Sequence, residues 1–234
     1  MNNSYPFPER SNLPDEDCFY MSPDFNNFEQ VNKVYQKKIS QESINIKLQY
    51  FLVENELLNS FQYVNPVEQN LSTSSVKFAT IIRESSTLFE QISRIIYNKL
   101  FINVDNINIY NYLSLDYFLN LNDIQFACPA LKNMVDNRPF LLMPFEKIST
   151  WNKMSKIERN NIPTWWTAFN KLKHSPNELT EFSTMENAIQ SLLATYIIIN
   201  KYLGPGVISG DLFKPEYNDN KIIHRQIRVE QSRL

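Results

Sequence analysis

Asn170 and His174 stand one helical turn apart in the run Trp165-Trp166-Thr167-Ala168-Phe169-Asn170-Lys171-Leu172-Lys173-His174, with two lysines between them. Residues four apart share a helix face, so one turn offers a carboxamide and an imidazole with ammonium groups beside them. An imidazole titrates near neutrality and exchanges a proton with a reacting oxygen, an amide orients it, and a lysine holds phosphate or offsets developing negative charge. Those types suit phosphodiester chemistry. The candidate catalytic residues are therefore His174 and Asn170, and the candidate substrate contacts are Lys171, Lys173 and Trp166, the last offering a ring on which a base stacks. The same residues also read without chemistry: an imidazolium complements the carbonyls at a helix C-terminus, Asn170 bonds nearby backbone, and tryptophans at helical spacing pack a core.

The elements that must position this turn follow from periodicity. Ile162-Pro163 restarts a helix, because proline is well placed in a first turn, and Trp165, Phe169 and Leu172 then fall on one inward face. Ser175-Pro176-Asn177 ends that helix. Ser183 and Glu186 have capping-box spacing, opening a long helix whose apolar stripe is Met185, Ala188, Ile189, Leu192, Leu193, Tyr196, Ile197 and Leu203; Gly204-Pro205 closes it.

Upstream, the segment from Ser75 to Leu100 has the clearest rhythm in the chain: Phe78, Ile81, Ile82, Leu88, Phe89, Ile92, Ile95 and Ile96 recur at threes and fours. Its opposite face carries Lys77, Arg83, Glu84, Glu90, Arg94 and Lys99, with Glu90 and Arg94 spaced for a weak surface pair. Glu84 is a candidate to face His174 across the bundle and tune it. Ser72-Thr73-Ser74-Ser75 offers caps to this helix. Phe28 to Gln62 reads as two helices, or one bent helix, interrupted near Ser40. Between residues 101 and 150 the pattern predicts a short helix around Asn108 to Leu119. Two apolar runs follow, Ile124 to Cys128 and Phe140 to Met143, which pair as a hairpin or stay extended because Pro129, Pro139 and Pro144 bound them. Ile222 to Val229 alternates as a short strand does.

The expected fold class is thus all-α in the main: a four- to five-helix up-and-down bundle with a short extended or β-hairpin insertion and irregular termini. Residues 1–27, rich in proline and carboxylate, form an extended or disordered arm; 28–204 form the bundle, with 101–150 an irregular insertion; 205–234 form a tail. A length of 234 residues is ample for one core, and 43% hydrophobic with 13% aromatic residues is a globular composition. A formal net charge of −2 excludes a broadly basic nucleic-acid binder and leaves only a local patch for phosphate. Cys18 and Cys128 share no metal-ligand spacing, and the first 30 residues lack an apolar signal core, so the expected compartment is the cytoplasm. No stretch is long and apolar enough for a membrane partner, and no phosphate loop, metal cluster, nucleophile elbow or dinucleotide fingerprint calls for a cofactor.

The run from Trp165 to His174, followed by Met185-Glu186-Asn187-Ala188 and an apolar helix, resembles the C-terminal half of HEPN-type proteins, the nucleotide-binding domain of higher eukaryotes and prokaryotes. That resemblance covers roughly Ser75 to Leu203, leaving out the irregular middle. It implies a helical bundle, often dimeric, whose active members are metal-independent ribonucleases of toxin and antiviral defence systems. Their signature is an arginine, four to six residues, then a histidine, often with a polar residue directly after the arginine. Asn170 and His174 match the polar residue and the histidine, and Phe169 occupies the arginine position. The implied roles are proton transfer by His174, orientation by Asn170 and phosphate binding by Lys171 or Lys173. The implied partners are RNA and a second copy of the chain. The alternative class is a non-catalytic helical module that kept the bundle, lost the chemistry and binds a protein partner.

Overall fold

The computed structural model describes residues 41–100, 106–122, 125–132, 139–152, 156–174, 181–204, 208 and 212–216. The arm expected over residues 1–27, the part before residue 41 of the two helices or one bent helix expected from Phe28 to Gln62, and the strand expected from Ile222 to Val229 lie outside those residues. Four long helices dominate: α1 (Gln41–Ser60), α2 (Val76–Leu100), α5 (Thr164–His174) and α6 (Met185–Leu203). Two short helices, α3 (Ile109–Ser114) and α4 (Asp116–Leu119), three strands, β1 (Gln125–Lys132), β2 (Pro139–Leu142) and β3 (Lys214–Glu216), and three single-turn 3-10 helices, Glu68–Asn70, Glu146–Ile148 and Arg159–Asn161, complete the described elements. The fold is mainly α, as its periodicity predicts.

The centre of the molecule is the α2–α6 pair, with α1 and α5 each packed against both of those helices. Phe78, Ile82, Phe89, Ile92 and Ile96 of α2 meet Met185, Ala188, Ile189, Leu192 and Leu193 of α6 in one continuous apolar core. Small polar residues let the two backbones approach closely. Thr195 Oγ1 donates to the Ser85 carbonyl across the interface at 2.8 Å, and the Ser85 and Ser191 hydroxyls lie 2.8 Å apart, all three residues fully buried. Each hydroxyl also reaches a carbonyl of its own helix, so the buried seam has its hydrogen bonds made.

The two helices also start side by side. The Ser75 amide donates to the Ser183 carbonyl (3.1 Å), the Met185 amide to Thr73 (3.0 Å) and the Glu186 amide to Leu71 (3.0 Å), around an isolated bridge between Ser74 and Thr184. These bonds use amides of the α6 first turn that would otherwise lack partners. Ser75 caps α2, its hydroxyl accepting from the Phe78 amide at 3.0 Å. The α6 cap is Thr184 and not Ser183: Thr184 Oγ1 accepts from the Asn187 amide at 3.2 Å, while the Ser183 carbonyl is engaged with the start of α2. Gly204 ends α6 at φ 107° and ψ 157°, a conformation that a Cβ would oppose.

The middle region is more regular than its sequence suggests. The helix expected from Asn108 to Leu119 is split into α3 and α4, with Asn108 capping α3 by accepting from the Tyr110 amide at 3.0 Å. The two apolar runs do form an antiparallel hairpin, with Phe126, Ala127 and Cys128 paired to Leu142, Leu141 and Phe140. β1 continues to Lys132, and its register shifts between Cys128 and Lys132, where Pro129 lacks the amide a regular ladder needs. β3 pairs with the other edge of β1, giving the order β2-β1-β3. Phe126 packs edge-on to Tyr196 of α6, centroids 5.8 Å apart, which fastens the sheet to the bundle.

Candidate functional site

α5 carries all the candidate catalytic and substrate-contact residues, and its burial pattern sorts them. Trp165, Trp166, Ala168, Phe169 and Leu172 are buried, whereas Thr164, Thr167, Asn170, Lys171, Lys173 and His174 are exposed. Trp165 is the anchor. Its indole Nε1 donates to the Pro144 carbonyl at 2.9 Å, and its ring meets Phe89 of α2 edge-on at 5.2 Å and Phe145 at 6.1 Å. One side chain thereby fixes α5 against both α2 and the loop that follows the hairpin.

Trp166 is a correction to the sequence reading, which assigned it to substrate. It is 4% exposed, packed on Phe169 (5.1 Å), Phe89 (6.0 Å) and Tyr112 of α3 (6.2 Å). No face of the indole is open for a base to stack on. Its Nε1 is buried and meets no acceptor among the described residues, an unpaired donor of the kind that costs about 1–3 kcal/mol. Tyr112 is itself tied to α2, its hydroxyl accepting from Arg94 at 3.4 Å, while Arg94 also pairs with Glu90 at 3.2 Å as its spacing predicts.

Phe169 is 3% exposed and lies on the same inward face as Trp165 and Leu172. Residue 169, which the sequence reading set against the arginine of the resembled signature, therefore points into the core. Lys173, one turn on, lays its ammonium over the Phe169 ring at 5.5 Å from the centroid, a cation–π contact within the helix. Asn170, Lys171 and His174 are exposed at the C-terminal end of α5. Asn170 and His174 lie one turn apart as expected, but among the described residues no hydrogen bond joins them and no ion pair joins Glu84 to His174. What the turn presents is a cationic, solvent-facing end of a helix, and its side chains suit an anionic surface laid against them. It lacks a buried acid–base pair.

A polar cluster that sequence reading passed over lies on α1. Tyr50 and Glu54 are both buried, and the Tyr50 hydroxyl donates to Glu54 Oε1 at 3.1 Å. Burial, then the neighbouring carboxylate, raises the Tyr50 phenol well above its ordinary pKa. The only signal was the spacing of four on a helix. Tyr50 also stacks obliquely on Tyr196 at 6.0 Å, so the pair belongs to the junction of α1, α6 and the sheet. Cys128, fully buried in β1, has its thiol pushed up to about 11 by the same loss of solvent. That protonated, enclosed thiol is not a nucleophile.

Among the described residues no group of three or more His, Cys, Asp or Glu side chains is arranged to hold a metal ion, and no helix is long and apolar enough to cross a membrane. No family model, curated protein or solved structure matches the chain.

Proposed function

We propose that this chain is a catalytically inactive helical module that resembles HEPN-type proteins and binds RNA through the C-terminal turn of α5 without cutting it. The observation that carries this reading is the placement of Phe169. A ribonuclease of the resembled type uses a guanidinium at that position to hold the scissile phosphate in its bidentate fork. Here the position holds an aromatic ring packed on Trp166, and the nearest ammonium, that of Lys173, lies over that ring. Lys171, Lys173, Asn170 and His174 remain as an exposed cationic strip, a point-charge surface for backbone phosphates.

A second reading, metal-independent cleavage, is favoured by one observation: Asn170 and His174 are both exposed one turn apart on the same helix. In that reaction His174 would take the proton of the ribose 2′-hydroxyl as its oxygen attacks the adjacent phosphorus. The 5′ oxygen would leave with a proton and a 2′,3′-cyclic phosphate would remain.

One experiment separates the two readings. Full-length wild type and His174→Ala are incubated with a mixed RNA pool and chelator, with cleavage ends and bound RNA both read out. The module reading expects retention of RNA without cleavage by either protein. It also expects the log–log salt slope of binding to fall by about one for each of Lys171 and Lys173 changed to Glu. Products with 2′,3′-cyclic ends from wild type alone overturn it in favour of the enzyme. Absence of any RNA binding removes RNA as the partner.

A further inference from the structure

Arg83, near the start of α2, is half-buried and makes no ion pair and no hydrogen bond among the described residues. Helical spacing fixes where it stands. Arg83, Glu90 and Arg94 are seven and eleven residues apart, so they form one line along α2. At the far end of that line Arg94 meets the Tyr112 hydroxyl at 3.4 Å, and the Tyr112 ring packs on Trp166 of α5. The adjoining side of α2, with Ala79, Ile82, Ser86 and Phe89, is buried, and Phe89 packs on both tryptophans of α5. Arg83 thus stands at the edge of the side of α2 that α5 covers.

The direction of α5 sets which of its residues lie level with Arg83. Trp165 packs on Phe89, which is about 21 Å from the start of α2 at 1.5 Å per residue. Were α5 parallel to α2, His174 would lie about 35 Å along it. The chain from His174 must return to Thr184, which bridges to Ser74 beside the start of α2. That stretch spans at most about 33–36 Å fully extended, and Glu181 and Phe182 in it form a turn. Only an antiparallel α5 fits. Its C-terminal half therefore comes back toward the start of α2: Arg83 lies about 9 Å from Phe89 along one helix, and Asn170 and Lys171 lie about 6–9 Å beyond the tryptophans along the other. Packed helices are about 8–10 Å apart, so the Arg83 guanidinium and the exposed end of α5 border one strip of surface. The carboxylate on the Arg83 line, that of Glu90, is already paired with Arg94, and Glu84 is turned about 100° away around the helix.

We propose that Arg83 belongs to the phosphate-binding strip of α5, so that RNA backbone phosphates are held from two helices, by ammonium groups of α5 and by a guanidinium of α2. The inference rests on the reading of α5 as an RNA-binding turn, and it adds from a neighbouring helix the fork that position 169 does not supply. A guanidinium grips phosphate through two parallel N–H bonds, which an ammonium cannot do.

The test titrates full-length wild type, Arg83→Ala, Arg83→Lys and Lys47→Ala with a short labelled RNA of mixed sequence over a series of salt concentrations, with urea midpoints measured alongside. Lys47, on α1, is the control cation. Arg83→Ala is expected to weaken binding at least about tenfold at low salt and to lower the log–log salt slope by about one. Arg83→Lys keeps the slope and loses part of the affinity, and Lys47→Ala changes neither. RNA binding that Arg83→Ala leaves unchanged overturns the inference and spares the reading of α5. Equal weakening by Lys47→Ala also overturns it, because the attraction is then diffuse. So does a loss in Arg83→Ala with an unchanged slope and a lowered urea midpoint, because Arg83 then serves packing alone. No RNA binding by wild type overturns both.

Discussion

Placing an arginine at position 169 should damage this protein and not give it a nuclease activity. In Phe169→Arg, a ring that is 3% exposed and sits 5.1 Å from Trp166 is exchanged for a guanidinium on the inward face of α5. Loss of the ring's burial alone is worth about 2–3 kcal/mol. The new cation must either desolvate against Trp166 and Leu172 or swing outward beside the Lys173 ammonium, which already occupies the space over the ring. Together with the void left behind, the expected loss is about 3–5 kcal/mol. With a urea m-value of roughly 2 kcal/mol per molar, the unfolding midpoint falls by about 1.5–2.5 M. Urea titration followed by fluorescence of the three buried tryptophans, alongside circular dichroism, measures this, with Phe169→Leu as the milder control. A Phe169→Arg protein with a midpoint within about 0.3 M of wild type and a newly acquired RNA-cleaving activity would refute the reasoning, because residue 169 would then face solvent.

Three further outcomes follow from the geometry. Thr184→Ala should lower stability by about 1 kcal/mol, because Thr184 caps the Asn187 amide. Chemical denaturation curves of the two proteins measure the difference. Gly204→Ala should cost about 1–3 kcal/mol, since a backbone at φ 107° and ψ 157° is essentially closed to residues with a Cβ; thermal unfolding reads it directly. Cys128 should resist a thiol reagent in the native protein and react in urea, assayed in a Cys18→Ser background. Its thiol is held at about 11 against an ordinary 9.0, so its contribution to stability is intact below pH 9. That contribution is lost as pH rises through 11, because the unfolded chain releases the proton first; the span corresponds to roughly 2–3 kcal/mol. Unfolding midpoints measured across that alkaline window provide the check.

Long amphipathic helices were plain in the sequence because their signal is repeated many times. The three-and-four rhythm of Phe78 through Ile96 and the stripe from Met185 to Leu203 each name a buried face several times over. The Phe140 pairing was legible only as one of two outcomes, since Pro129 and Pro139 argue against a ladder and only the bulged register accommodates them. β3 carried no signal at all: Lys214-Pro215-Glu216 has no strand character, and it exists because the outer edge of β1 accepts it, an edge position that tolerates proline. At the candidate site, spacing correctly placed Asn170 and His174 on one exposed face. It misplaced Trp166 because the width of a helix's buried face is set by its neighbours. α2 covers one side of α5 through Phe89, α3 covers another through Tyr112, and no local pattern near Trp166 encodes the second contact. The capping shift from Ser183 to Thr184 has the same origin, a backbone bond to the start of α2 that comes from more than a hundred residues upstream.

That shared starting plane of α2 and α6 constrains how the molecule assembles in time. The hydrogen bonds from the Ser75, Met185 and Glu186 amides and the Thr195–Ser85 contact all join residues more than a hundred positions apart, and all of them tie α2 to α6. For helical proteins whose neighbours in space are neighbours in sequence, collapse is fast. Here the central pair forms only after the chain between it has closed a very long loop, whose entropy must be met before the interface rewards it. The transition state must therefore bring together distant parts of the described chain, and mutations in the Ser85–Ser191–Thr195 seam should slow refolding more than they hasten unfolding. Until that closure, the faces that α2 and α6 turn to each other are bare, which makes the partly folded chain the form most exposed to aggregation.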